Sequence, residues 1–386
     1  MERWSSHQYK KVAHERGVPS AVVENAVAIG REIVRKNPNV QPVFTLRHLA
    51  ELCEVDYALL RQYVSRGFDP YESFRVRKRP GPNGERRYRI ICVPNPPLMK
   101  AQRWITQNVL QYGVVHNASV AFAPKSKLLH ATEPHCNARW LIKLDIKRFF
   151  ESIPERFVYR VFRDFGYQAL VAFEMARLCT RLYPGPLFDS RKWTSSGLRE
   201  SPYKIHAYDQ SWQGHLPQGA PTSPMLANLV CYKLDELLAD LADSDGLQYT
   251  RYADDLTFST NSKEFSREQA AAVVGKVFQH LAQMGFSPNR SKTSVIPPRG
   301  RKVVLGLLVD GSRPRLSREF KASLRQHLYY LTLDGWGPVK HAKVRGFASL
   351  VGLRDHVLGL IGYAGQIEPA YALARRREFE TIKWPI

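Results

Sequence analysis

Two adjacent carboxylates, Asp254 and Asp255, lie in the middle of GLQYTRYADDLTFST (246–260), where apolar and polar residues alternate on both sides. Leu247, Tyr249 and Arg251 before them, and Leu256 and Phe258 after them, keep the period of two that marks short strands. The segment therefore reads as a β-hairpin with the acids at its tip. Unpaired acids at the junction of two buried strands are costly unless they meet a cation. Mg2+ suits the position, since it takes oxygen ligands and is held by one or two carboxylates together with substrate phosphates. Turns favour Asp on their own account, so the pair gains its meaning from a third acid. In WLIKLDIKRFF (140–150) Asp145 interrupts an apolar, strand-like run where another core residue is expected. An acid ending one strand and acids on a neighbouring hairpin can hold two metal ions roughly 4 Å apart, which clamp the attacking and leaving oxygens of an in-line phosphoryl displacement.

Composition agrees with that chemistry. In 386 residues Lys and Arg outnumber Asp and Glu by 57 to 35, a formal charge of +22, which calls for a polyanionic partner and above all nucleic acid. An anionic membrane surface is the competing partner, but no apolar run approaches the ~18 residues of a membrane span, and the polar start MERWSSHQYKK is unlike a signal peptide. A cytoplasmic protein is expected. The five cysteines are scattered and never spaced as C-x-x-C, so they read as buried thiols rather than disulfides or a zinc site.

Other elements must position the acids. Residues 1 to about 65 carry helical spacing in AVVENAVAIGREIV and TLRHLAELCEVDYALLRQYV, separated by NPNVQP (37–42). RVRKRPGPNGERRYRIICVP (75–94) reads as a basic β-hairpin turning at PGPNG. It is either a solvated loop or a set of cations suited to triphosphate oxygens. Pro217-Gln218-Gly219 forms a turn, its glycine permitting close backbone approach, and a helix is predicted from Pro224 to Leu238. Residues 181–215 form a long polar insertion whose aromatics (Tyr183, Phe188, Trp193, Tyr203, Tyr208, Trp212) suit either unpaired RNA bases or a protein interface. From Ser317, a candidate N-cap, REFKASLRQHLYYL sets Phe320, Leu324 and Leu328 on one helical stripe and Arg318, Lys321 and Arg325 on another.

Taken in order, LDIKRFF around Asp145, Gln218-Gly219 in LPQGAPTSPMLANL, YADD at 252–255, GFSPNRSKT at 285–293 and VVLGL at 303–307 resemble the successive palm motifs of reverse transcriptases. Upstream, Lys78 and the string Arg89-x-Ile91-x-x-Pro94, followed by Leu98 and Gln102-Arg103, resemble the retron-type bacterial branch of that family, and the resemblance spans about residues 43–380. Two positions depart from the retron pattern. Where Asn-Ala-x-x-His is usual the chain has Ala131-Thr132-Glu133-Pro134-His135, and Val304-Leu305-Gly306 replaces Val-Thr-Gly.

The resemblance implies an α+β right-hand polymerase. Its fingers and palm, an antiparallel sheet plus helices, would span 66–300 with the insertion at 181–215, its helical thumb 301–386, and an N-terminal helical extension 1–65. It further implies an RNA-directed DNA polymerase using two Mg2+ ions, with Asp145, Asp254 and Asp255 as metal ligands and catalytic acids, and Lys292 giving a proton or charge to departing pyrophosphate. Lys78 and Arg89 would grip the triphosphate, and Gln218 and Gly219 would line the nucleotide and template pocket. Phe150 would lie beneath the sugar to exclude a 2′-hydroxyl, with Phe149 as the core-packing alternative. Arg318, Lys321 and Arg325 would follow the phosphate backbone. Partners so implied are a noncoding RNA template and primer, deoxynucleotides and the DNA product, with an effector protein and self-association left open. The biological setting is antiphage defence, as a retron or as another defence-associated reverse transcriptase. A reading of a different class is an RNA-binding scaffold with an idle polymerase site.

Overall fold

The structure, a computed structural model, describes residues 4–77, 84, 86, 88–182, 205, 207–209 and 212–385. Four helices open the chain: α1 (Ser6–Glu15), α2 (Ser20–Lys36), α3 (Leu46–Cys53) and α4 (Tyr57–Val64). The apolar run at 45–64 is divided because Glu54 takes the left-handed conformation and Asp56 caps the next helix, accepting a hydrogen bond from Leu59 N at 2.8 Å. Ile33, Leu49, Leu60 and Val64 join the main hydrophobic core, so this region packs onto the rest of the chain. The basic hairpin follows as β1 (Tyr71–Arg77) and β2 (Tyr88–Pro94), paired antiparallel from Tyr71↔Pro94 to Arg77↔Tyr88. Most of its PGPNG turn lies outside the described residues. Asn95 then caps α5 (Pro96–Asn108), whose first turn tolerates proline because those backbone donors have no helical partner.

The central sheet is four-stranded and antiparallel. It is built from β3 (Trp140–Asp145) and, after helices α6 (Glu155–Asp164), α7 (Ala169–Cys179), α8 (Ser223–Val230) and α9 (Tyr232–Ser244), from β4 (Gln248–Tyr252) and β5 (Asp255–Thr260). Helix α10 (Arg267–Gln283) leads to the last strand, β6 (Ser294–Ile296), and the spatial order is β4-β5-β3-β6. Alternation divides the faces. Ile142, Leu144, Leu256 and Phe258 enter the main core beside helix residues such as Leu234, Leu238 and Val277, leaving Asp145 and Asp255 on the opposite face. The helix expected over 224–238 breaks at Cys231, and the second segment turns Leu234, Asp235 and Leu238 inward. All five cysteines are free thiols and four are buried, as expected.

His135, the residue retained from the retron signature, sits against that opposite face. Its ring nitrogens lie 2.7 Å from Ser259 Oγ on β5 and 2.8 Å from Thr250 Oγ1 on β4, so it joins the two strands of the hairpin. Burial holds its imidazole down at about 4. Between pH 6.5 and 4 the unfolded chain takes up this proton first, so the stabilisation is complete above about 6.5 and is lost as pH falls towards 4. His135→Gln should lower stability at neutral pH yet flatten the acid side of the stability profile by about 3 kcal/mol. His215 and His327, also depressed to about 4 by burial, keep their share in both proteins. Thermal unfolding from pH 7 to 4 tests this, and parallel profiles would remove His135 as the cause.

A small sheet of β7 (Val303–Val304), β8 (Leu307–Leu308) and β9 (Arg315–Leu316) follows. Leu305 (φ 48°) and Gly306 (φ 85°) join its first two strands, both in the positive-φ conformation that a two-residue hairpin of matching twist needs. The C-terminal helices α11 (Arg318–Thr332), α12 (Gly337–Arg345), α13 (Leu350–Ile367) and α14 (Pro369–Glu380) enclose a second core of Leu324, Leu328, Leu353, Val357, Ile361 and Phe379 among others. Ser317 does cap α11, accepting from Phe320 N at 3.1 Å. Among the described residues no helix is long and apolar enough to cross a membrane.

Candidate active site

Asp145 is the last residue of β3 and Asp255 the first of β5, and the register sets them directly opposite one another. Opposed residues of an antiparallel pair share a face, so these two acids, 4% exposed and half-buried respectively, stand side by side. Asp254 occupies the turn between β4 and β5, and its carbonyl accepts a hydrogen bond from Ile146 N at 2.9 Å, tying the hairpin tip to the end of β3. The 285–293 segment wraps the same strand end. Asn289 Nδ2 donates to Asp145 Oδ1 at 2.8 Å, Asn289 N donates to the Asp145 carbonyl at 2.7 Å, and the Lys292 ammonium pairs with Asp145 Oδ2. Asn289 was not singled out from the sequence. Its signal was its place three residues before Lys292, one tight turn delivering an amide and an ammonium to the same carboxylate.

Crowding sets the electrostatics. Burial, and then the neighbouring Asp145 charge, raise the Asp254 carboxyl above its ordinary range, with Lys292 and Arg89 acting in the opposite sense. Asp255 is pushed up to about 6 by burial and by Asp254, against Lys143. Neighbouring carboxylates whose charges disfavour one another suit a hard divalent cation, which would relieve the repulsion. Among the described residues no three metal-capable side chains converge on a ready-made cage.

Around the acids, Phe149 is core, 4% exposed and stacked on Phe286, while Phe150 is half-buried with its ring edge-on to Phe149 at 5.3 Å. The Gln218-Gly219 turn crosses β2, where Cys92 N donates to the Gln218 carbonyl at 2.7 Å. A Cβ on Gly219 (φ 116°) would lie 2.8 Å from Ile91 Cγ2 and 2.9 Å from the Cys92 carbonyl oxygen, so the close approach requires glycine. Arg89 is exposed on β2, and its charge reaches Asp254. Lys78 lies outside the described residues.

The basic stripe of α11 is divided in its engagements. Arg318 and Arg325 are exposed, whereas Lys321 pairs with Glu368 at 2.6 Å and lies over the Tyr371 ring. Arg325 also lines a 620 Å³ cleft with Tyr329, Arg375 and Arg377. The ends of the insertion are pinned together, Arg181 and His215 exchanging backbone hydrogen bonds of 2.9 and 3.0 Å. Tyr208 corrects the expectation of a base-stacking aromatic: it stacks on buried Phe173 and donates to Glu174 Oε1 at 2.7 Å, so its ring is committed to the fold. Trp212 is 57% exposed, and Tyr183, Phe188, Trp193 and Tyr203 lie outside the described residues.

Comparison with known proteins places the chain in a family. Residues 76–309 match the family profile described as reverse transcriptase (RNA-dependent DNA polymerase). Retron Ec86 reverse transcriptase of Escherichia coli is similar, 27% identical over 339 residues that cover 87% of this chain and 93% of that protein. Retron Mx162 reverse transcriptase of Myxococcus xanthus is 32% identical over 276 residues, 67% of this chain and 52% of its own length. Retron Ec73 reverse transcriptase of Escherichia coli is 29% identical over 334 residues, 83% and 91% of the two chains. Reverse transcriptases generally use divalent metal ions, the class of cation that the crowded aspartates suit. With the profile covering more than half its length, the chain belongs to the reverse transcriptase (RNA-dependent DNA polymerase) family.

Proposed function

We propose that this enzyme copies a noncoding RNA template into DNA as the polymerase of a retron, acting in the cytoplasm in defence against phage. The observation that carries the catalytic part is the pairing of Asp145 with Asp255 at the sheet end beside Asp254. Similarity to retron reverse transcriptases over most of the chain supports the retron setting. In this reading 1–65 is an N-terminal extension, β1–β2 belongs to the fingers, the four-stranded sheet and its helices to the palm, with fingers and palm together spanning 66–300, and 301–386 is the thumb.

Asp145 and Asp254 would hold two Mg2+ ions, with Asp255 adding charge. When bound, such ions supply electrostatic stabilisation of the triphosphate and of the attacking and leaving oxygens. The chain's own residues do the rest. Arg89, with Lys78, grips the triphosphate by charge-assisted hydrogen bonds, and Phe150 sits under the sugar. Gln218 and Gly219 line the pocket against β2. Lys292, held at Asp145, is placed to give charge or a proton to departing pyrophosphate. Substrates and partners are deoxynucleotides, an RNA template and primer, and the DNA product; an effector protein and self-association are compatible additions.

The test is to purify the protein from its host and sequence the nucleic acid that travels with it. One RNA species accompanied by DNA complementary to part of it is expected. RNA without complementary DNA would favour a scaffold with an idle site.

Thumb contacts have their own signature. Arg318→Gln combined with Arg325→Gln should flatten the salt dependence of duplex binding by roughly 0.7 to 0.9 per lost phosphate contact and weaken binding for any sequence. Adding Lys321→Gln should change the slope little, because Glu368 already engages that ammonium. Salt-titrated binding measures both, and an unaltered slope in the double variant would make the stripe a solvated surface.

A further inference from the structure

Arg251, immediately before the YADD tip, is 0% exposed. A guanidinium carries five N–H donors, and here there are five hydrogen bonds. Nε donates to Asp235 Oδ1 at 2.7 Å, and Nη2 to Asp235 Oδ2 at 2.6 Å and Ser119 Oγ at 3.0 Å. Nη1 donates to Asn228 Oδ1 at 3.3 Å and to the Ala253 carbonyl at 3.2 Å. The last of these matters for the site. Ala253 has φ 56°, a left-handed conformation that an L residue adopts at a cost, and it is the residue that sets the direction of Asp254. The fork is itself anchored: Asp235 on α9 also accepts from Tyr249 Oη at 2.9 Å, and the Arg251 backbone bonds to Ala118 and Val120.

We propose that Arg251, oriented by Asp235, is a positioning residue that holds the Ala253 turn and so aims Asp254 at the metal. This rests on the reading of Asp254 as a metal ligand. A buried ion pair is not in itself a strong stabiliser and can often be exchanged for apolar residues of similar volume. What such an exchange cannot supply is a donor to the Ala253 carbonyl.

The test therefore removes both charges together, Arg251→Met with Asp235→Leu, so that neither is left buried alone. Arg251→Lys is the second variant; it keeps a charge beside Asp235 but cannot reach all the acceptors of the fork. Direct Mn2+ binding, followed by the electron paramagnetic resonance of the free ion, should weaken by roughly 10- to 100-fold, the scale on which loss of groups that orient metal ligands is felt. The Mg2+ concentration for half-maximal incorporation should rise in parallel, while RNA affinity and cooperative thermal unfolding persist. Folded variants with wild-type Mn2+ affinity and Mg2+ requirement would overturn the proposal. Failure of both variants to fold would also overturn it, making the fork an element of stability alone. If Asp254→Asn itself leaves Mn2+ binding and incorporation intact, the metal-site reading fails instead.

Discussion

Asp254→Asn should lower deoxynucleotide incorporation by roughly a hundred- to a thousand-fold, the scale reached when a single electrostatic stabiliser of a transition state is removed. The same substitution should leave thermal stability unchanged or slightly raised. Burial and the Asp145 charge already disfavour the ionised Asp254 carboxyl, so a neutral amide of the same shape removes repulsion within the folded protein. The backbone bond from Ile146 N to the residue 254 carbonyl does not depend on the side chain. RNA affinity should persist, because phosphate contacts from basic residues dominate such binding. The combination of lost incorporation with retained fold and RNA affinity separates a catalytic acid from a structural one. Substantial incorporation by the variant would refute the assignment. Phage challenge adds a biological arm: protection that survives the substitution would mean that the polymerase site is idle in the cell.

Phe150→Ala should relax sugar discrimination, raising ribonucleotide incorporation relative to deoxynucleotide by about 10- to 200-fold, the range that a steric, apolar pocket contact can supply. The two adjacent phenylalanines differ in what they can do. Phe149 is packed in the core against Phe286, while Phe150 retains an accessible part. Truncating Phe150 costs an edge-on aromatic contact, on the order of 1 kcal/mol, and should leave a folded enzyme. Truncating Phe149 should instead destabilise by about 3–5 kcal/mol. Competing nucleotide incorporation by Phe150→Ala, read beside its unfolding midpoint, decides the matter; unchanged discrimination would assign the sugar contact elsewhere.

Several parts of this architecture were legible in the residues alone because the signals are local. Alternation around Leu256 and Phe258 marked a strand pair, and the acids at its tip had no apolar role to play. Asp145 ended a strand as its neighbours implied. Ser317 capped α11 through a hydrogen bond to a residue only three positions on. The excess of Lys and Arg, the absence of cysteine pairing and the basic hairpin likewise follow from composition and short-range pattern. The divisions at Glu54 and Cys231 were less visible, since the apolar spacing continues across both.

Partnership was decided only by the tertiary structure. Alternation around Asp145 favours a core residue there, yet the strand turns Ile142 and Leu144 into the core and Asp145 to the other face, and its opposition to Asp255 depends on a strand register that forms when distant segments pair. Asn289 and Lys292 reach Asp145 across 144 and 147 positions of sequence, and no periodicity records such a meeting. Tyr208, aromatic in a polar insertion, was drawn into the core by Phe173 and Glu174, and Lys321 was taken from its stripe by Glu368. Arg251 is the sharpest case. In the sequence it only keeps the period of two with Leu247 and Tyr249; in the fold Asp235, Ser119, Asn228 and the Ala253 carbonyl surround it and satisfy all five donors. A residue's preference for core or surface is a property of its own chemistry and period, whereas the identity of its partner is set by packing between elements far apart in the chain.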